Sequence, residues 1–230
     1  MVYGWQLRLS PRPPSRTETP IEPRLLSPCD AALFEFISGD DGRMIVRETH
    51  YADNKFVQDG LSGPKIHIHL GQNEYFEVHQ GTLSVIRNGI EYALTKDDGV
   101  FEIPAGTRHR FWAHPSIRDK REDLKFQVWA KPNEVDRGFN ENCLRNYFGY
   151  LKDCLEHNMT PSVFQMALFG WSWDTIMLVP PFWMPLWSLR VIQHVAGHWI
   201  GKRLLGYQAS YPEYDTKPRA DSEGVARKYS

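Results

Sequence analysis

Four residues in two short stretches carry the strongest chemical signal in this 230-residue chain. His67 and His69 stand two apart in the run Ile66-His67-Ile68-His69-Leu70. Glu74 follows the turn sequence Gly71-Gln72-Asn73, and His109 follows Pro104-Ala105-Gly106 closely. Residues two apart on a β-strand share a face, so the two imidazoles project together while Ile66, Ile68 and Leu70 point away. A turn at residues 71–73 folds the next strand back, placing Glu74, Phe76 and Val78 on its inner face. On a later strand, His109, Phe111 and Ala113 share a face in the same way. Three neutral imidazoles and one carboxylate suit one divalent transition metal ion: Fe, Mn, Cu, Ni or Zn. Ligand type alone does not choose among them. An ion that takes six ligands keeps two positions for substrate, water or dioxygen. Phe76 and Phe111 are the expected walls of a substrate pocket beside it, with Trp112 at the rim. No further residue stands out as a catalytic acid or base.

The elements that must position these side chains are short strands. Between about residues 31 and 131, nine apolar or alternating runs are separated by turn signals such as Gly39-Asp40-Asp41-Gly42 and Asp97-Asp98-Gly99. Asn88-Gly89, flanked by β-branched and aromatic residues, is the clearest hairpin turn. So many strands with no helical period among them predict a mainly β sandwich or barrel. After Pro132 the pattern becomes helical. Residues 140–156 carry Leu144, Phe148, Leu151 and Leu155 on one stripe. Thr160-Pro161 opens a second helix through Phe169, and residues 186–205 form the last, stopped by Gly206. The chain therefore divides into an irregular, proline-rich arm at 1–24 that wraps the barrel, a β-barrel at 25–132, and a helical extension at 133–230.

A His-x-His pair alone is commonly a polar strand edge. Here the pair belongs to the longer pattern HxHxxxxE, then six residues to Gly81, then GxxxxPxGxxH from Gly99 to His109. That arrangement resembles the cupin superfamily. The resemblance implies a jelly-roll barrel holding one metal ion on His67, His69, Glu74 and His109. It departs from the family at Gly60 and Gly63, whose distances from His67 are unusual, and between Gly99 and Pro104, where only four residues lie. Ala113 stands where the family often has Asn. The tail Gly206-Tyr207-Gln208-Ala209-Ser210-Tyr211-Pro212-Glu213-Tyr214 is similar to that of small cupins in fungal polyketide pathways. This second resemblance implies a metal-dependent oxidoreductase of secondary metabolism, acting on a hydrophobic, aromatic or polyketide-derived small molecule. A non-oxidative isomerase or decarboxylase and a non-catalytic binding module are the alternatives.

Composition narrows the partners. A net charge of −1, with scattered basic residues, gives no electrostatic case for nucleic acid. Cys29, Cys143 and Cys154 form no CxxC pair, so a reducing compartment, the cytoplasm, is expected. The N-terminus lacks the apolar core of a secretory signal. Sheet edges make a homodimer an expected option. Trp171, Trp173, Phe182, Trp183 and Trp187 form an aromatic stretch interrupted by Asp174 and by prolines at 180, 181 and 185. Packing on the barrel or across a dimer is the favoured reading. A lid comes next, and membrane contact is possible but not favoured. His79, His114 and Glu77 point outward, and Arg108 and Arg110 are expected to meet surface carboxylates. Arg190, His194, His198 and Lys202 make a solvated stripe on the last helix.

Overall fold

The computed structural model describes residues 3–19, 24–133, 137–177 and 184–215. Its strands are β1 (Arg24–Leu26), β2 (Ala32–Ser38), β3 (Met44–His50), β4 (Ile68–His69), β5 (Asn73–Gln80), β6 (Leu83–Arg87), β7 (Ile90–Leu94), β8 (Val100–Ile103), β9 (His109–Ala113), β10 (Leu124–Lys131) and β11 (Thr175–Ile176). The helices are α1 (Gly4–Leu9), α2 (Lys55–Gln58), α3 (Ser116–Lys120), α4 (Glu141–Glu156), α5 (Val163–Ser172) and α6 (Leu186–His194). The last continues as a π-helix over Val195–Leu204.

One layer is an antiparallel sheet in the order β1-β2-β3-β10-β5-β8. The other runs β7-β6-β9. Reciprocal backbone bonds between His67 and His109, at 2.9 and 3.1 Å, join the approach to β4 onto β9. Beyond it β11 pairs with β4. Alternation turns Phe76, Val78, Phe126 and Val128 of the first layer toward Leu83, Val85, Phe111 and Ala113 of the second, in one buried core. The rings of Phe76 and Phe111 meet across the layers at a centroid distance of 4.9 Å. The Asn88-Gly89 turn forms as expected, both residues having positive φ.

Several expectations change. Residues 65–70 make a ladder only at Ile68–His69, because the backbone is shared among partners: His67 bonds His109, Ile68 and His69 pair with β11, and the His69 carbonyl accepts from Gly106. Asn140 caps α4 as a side-chain acceptor for Cys143 N–H at 3.0 Å. Leu144 and Phe148 pack on the barrel core, and Phe148 lies 4.6 Å from Phe34. Leu155, placed on the same stripe, is half exposed, because the far end of α4 buries Tyr150, Asp153 and Cys154 instead. The second helix begins at Val163, with Ser162 at its cap. The last helix is α only to His194. Its π-helical continuation brings Gly197 and Gly201 onto the backbone of α5, where a Cβ would lie 2.6 Å from Ala167 O and 2.9 Å from Phe164 O.

The arm contains α1, and hydrogen bonds of its described residues tie it to the helical extension. Gln6 donates to Leu204 O, Arg12 donates to Leu205 O, Ser10 pairs with Tyr207, and Thr17 N–H donates to Asp153. Of the aromatic stretch, Trp173 stacks on Phe169 and Trp171 packs against His194. Trp187 is 71% exposed. Phe182 and Trp183 lie outside the described residues. Among the described residues no helix is long and apolar enough to cross a membrane.

Candidate metal centre

The structure brings His67, His69, Glu74 and His109 together. One ligand atom from each lies within 4.8 Å of the others, and all four residues are buried. The turn at residues 71–73 is held by its own side chains, which sets where Glu74 enters β5. Buried Gln72 donates to Pro132 O at 2.8 Å and accepts from Phe139 N–H at 2.7 Å. Asn73 accepts from Ala105 N–H at 2.9 Å, tying this turn to the one that precedes His109.

Each imidazole is oriented through its outer nitrogen. His67 Nδ1 lies 2.9 Å from Lys65 O, and His109 Nδ1 lies 2.9 Å from Thr107 O. A carbonyl only accepts, so both rings carry their proton on Nδ1 and turn a lone pair inward at Nε2. His69 Nδ1 lies 3.0 Å from the Thr175 hydroxyl, whose own proton goes to Trp173 O at 3.2 Å. Thr175 therefore accepts from His69, and the third Nε2 also faces inward as a lone pair. Partners of this kind fix tautomer and ring angle in metal sites.

The residues fit a cation. His109 Nε2 and Glu74 Oε2 lie 2.9 Å apart, yet both are buried with no hydrogen-bond partner. Glu74 Oε1 stands 3.6 Å from His69 Nε2. Two buried acceptors facing each other at that range repel unless a positive charge lies between them. Burial and the neighbouring His109 and His69 push the His67 imidazole well below its usual range, so it is a neutral donor at pH 7. Burial acts to raise the Glu74 carboxyl, whereas positive charge on the His109 and His69 side lowers it, so the carboxylate form is favoured where a cation adjoins those rings. The site thus offers three lone pairs and one anion.

Beneath the four ligands the rings of Phe76, Phe111 and Phe126 contact one another at 4.9–6.2 Å. They separate the metal layer from a second buried polar pair, in which His50 Nε2 lies 2.9 Å from Glu48 Oε2. This pair was missed at the level of sequence. Its signal was present, since Val46, Glu48 and His50 share one parity and all three are buried. Thr175 had no comparable signal. His79 is exposed and His114 bonds Ser116 Oγ at the start of α3. Among the described residues Arg108 and Arg110 do not meet carboxylates; they donate to Met184 O and Gly60 O. His194 and His198 stack at 5.1 Å, and the cluster of four remains the metal-ligand group found among the described residues.

Two antiparallel layers closing over a three-histidine, one-glutamate set define a cupin. No family model matches the chain. It is 53% identical over 218 residues to the probable oxidoreductase virH of Hypocrea virens, across 95% of this chain and 97% of that protein. It is 47% identical over 209 residues to the oxidoreductase iacF of Pestalotiopsis fici, across 90% and 100%. The epoxidase atD of Aspergillus terreus is 34% identical over 160 residues, or 67% of this chain and 47% of that protein. The chain belongs to this family of oxidoreductases found in fungi, and it is an enzyme. Among solved structures, the capsular polysaccharide assembling protein CapF of Staphylococcus aureus overlays on 52% of this chain and 30% of its own, at 22% identity and a TM-score of 0.37. KdgF from Halomonas overlays on 46% of this chain and 82% of its own, at 18% identity and a TM-score of 0.33.

Proposed function

We propose that the protein is a metal-dependent oxidoreductase acting on a hydrophobic, aromatic or polyketide-derived small molecule in secondary metabolism. The observation that carries this reading is the convergence of three Nε2 lone pairs on a buried carboxylate whose Oε2 has no hydrogen-bond partner. His67, His69 and His109 would hold the ion through Nε2, and Glu74 through its carboxylate. When bound, a divalent iron, manganese or copper ion supplies a Lewis-acidic centre with a redox couple. The chain itself does the rest of the work at this site. The carbonyls of Lys65 and Thr107 and the hydroxyl of Thr175 keep each imidazole in the binding tautomer. Phe76 and Phe111 give the ligand layer an apolar, water-excluding floor suited to a flat substrate. The oxidoreductase and epoxidase names of the relatives support oxidative over non-oxidative chemistry. Three free cysteines, two of them buried, are compatible with a cytoplasmic setting.

Elemental analysis of purified wild type beside His67→Ala and Glu74→Gln tests the reading. About one equivalent of iron, manganese or copper in the wild type and little in either variant is expected, with oxygen uptake on a suitable phenolic substrate. Stoichiometric zinc with no oxygen uptake would move the chemistry to Lewis-acid isomerisation or decarboxylation. Equal trace metal in all three proteins would sink the metalloenzyme.

A further inference from the structure

We propose that α1 and the α6–π helix together form a docking face for an anionic lipid bilayer. Trp187, Val191, Val195 and Trp199 recur every four residues along the last helix, and all four are exposed, the two tryptophans at 71% and 58%. The arm lays a second apolar element at the end of the same helix, fixed there by the 2.7 Å bond from Gln6 to Leu204 O. On α1 and its cap, Tyr3, Trp5, Leu7 and Leu9 are exposed while Gln6 is buried. A six-residue helix that turns its polar side chain inward and its apolar ones outward is inverted for a water-facing surface. Concentration of large apolar groups in one region marks an interaction surface.

Charge selects the partner. Residues 3–9 and 184–205 contain no Asp or Glu, whereas Arg8, Lys202 and Arg203 are exposed within them; Arg190 is exposed too but is paired with Asp174 at 3.4 Å. A second copy on this face would set those cations near their own equivalents with no carboxylate from either segment between them. A bilayer carrying anionic headgroups accepts both components. Tryptophan and tyrosine favour the headgroup boundary, and each basic residue adds attraction to a negative surface. The face does not include the metal ligands, so the inference stands apart from the assignment of the centre.

Flotation of the full-length protein with phosphatidylcholine vesicles, and with vesicles containing about 30% phosphatidylserine, tests the proposal. Wild type is expected to float with the phosphatidylserine vesicles only, to show a blue-shifted tryptophan emission there, and to be released by high salt. The double variants Trp187→Ser/Trp199→Ser and Lys202→Glu/Arg203→Glu are each expected to bind at least about tenfold more weakly. Because every substituted side chain is exposed, unchanged thermal melting will show that folding is intact. Failure of the wild type to float with either vesicle overturns the proposal. So does a solution dimer that dissociates in Trp187→Ser/Trp199→Ser, which would make the face a contact between copies. Equal binding to both vesicle types, unaffected by Lys202→Glu/Arg203→Glu, removes the role of anionic lipid.

Discussion

Thr175 reaches His69 from the far side of the sequence, and its hydroxyl both accepts from the imidazole and donates to Trp173 O. Valine has nearly the same shape and can do neither. Thr175→Val is expected to leave His69 Nδ1–H buried without a partner, at a cost of about 1–3 kcal/mol in stability. Metal affinity should fall about 10–100-fold, the usual effect of losing an outer partner of a ligand. Thr175→Ser keeps the hydroxyl and should restore most of the affinity in the same metal titration. An unchanged affinity in Thr175→Val would show that ring packing alone orients His69. Glu48 allows a pH prediction. Burial raises its carboxyl above the usual value; His50 opposes the shift and the Glu74 charge adds to it. The folded pKa lies above the unfolded one, so the native state binds the extra proton within that window. Its contribution is therefore present below the ordinary glutamate range and is lost as pH rises through the raised value. Glu48→Gln should remove this decline, so urea midpoints of the variant will gain on the wild type from acid toward neutral pH. Parallel pH profiles for the two proteins would contradict the assignment.

Gly63 decides how closely residues 62–64 approach β9. A Cβ at this position would sit 1.6 Å from Phe111 O, against backbone that cannot rotate away. Gly63→Ala must push the segment off the strand that begins with His109. We expect a loss of about 3 kcal/mol or more by chemical denaturation, together with reduced metal content. Gly42→Ala is the control at an open glycine, which also has positive φ, and should show the smaller backbone penalty with normal metal content. The same region shows what sequence could and could not disclose. β-strand parity placed His67 with His69, and His109 with Phe111, on local grounds, but it was the resemblance of the longer pattern to the cupin superfamily that joined Glu74 and His109 to the pair as ligands. The strand pattern between residues 31 and 131 was legible on local grounds too. Gly63 was visible as an irregular spacing, but its purpose depends on a backbone from another strand. β11 was not legible at all, since a two-residue strand has no period and its partner His69 is 106 residues away. The π-helical turns were equally hidden, because Gly197 and Gly201 state only that something comes close, not how the helix widens. The outward face of Leu155 depended on where Tyr150 and Asp153 found partners.

At the scale of the molecule, the helical extension is part of the metal centre's support and the arm is part of the extension's. Gln193, on α6 and buried, makes the decisive link. Its amide donates to Thr175 O at 2.7 Å and accepts from Met177 N–H at 2.8 Å, as a neighbouring strand would. It therefore holds β11 on its outer edge while β4 pairs with the other, and Leu70 N–H reaches Asp174 O at 3.0 Å beyond the ladder. Helix packing is thereby transmitted through β11 to Thr175 and then to His69. Gln193→Leu keeps much of the side-chain volume and removes both bonds. It should expose the Leu70 amide to hydrogen exchange and lower metal affinity in the direction of Thr175→Val. Amides in the β3–β10 ladder belong to the other layer and should retain their protection. Because Gln193 acts on His69 in part through the Thr175 hydroxyl, Gln193→Leu and Thr175→Val together should weaken metal binding by less than the sum of their separate effects. Full additivity would instead mean that the helices and the threonine support the centre by separate routes.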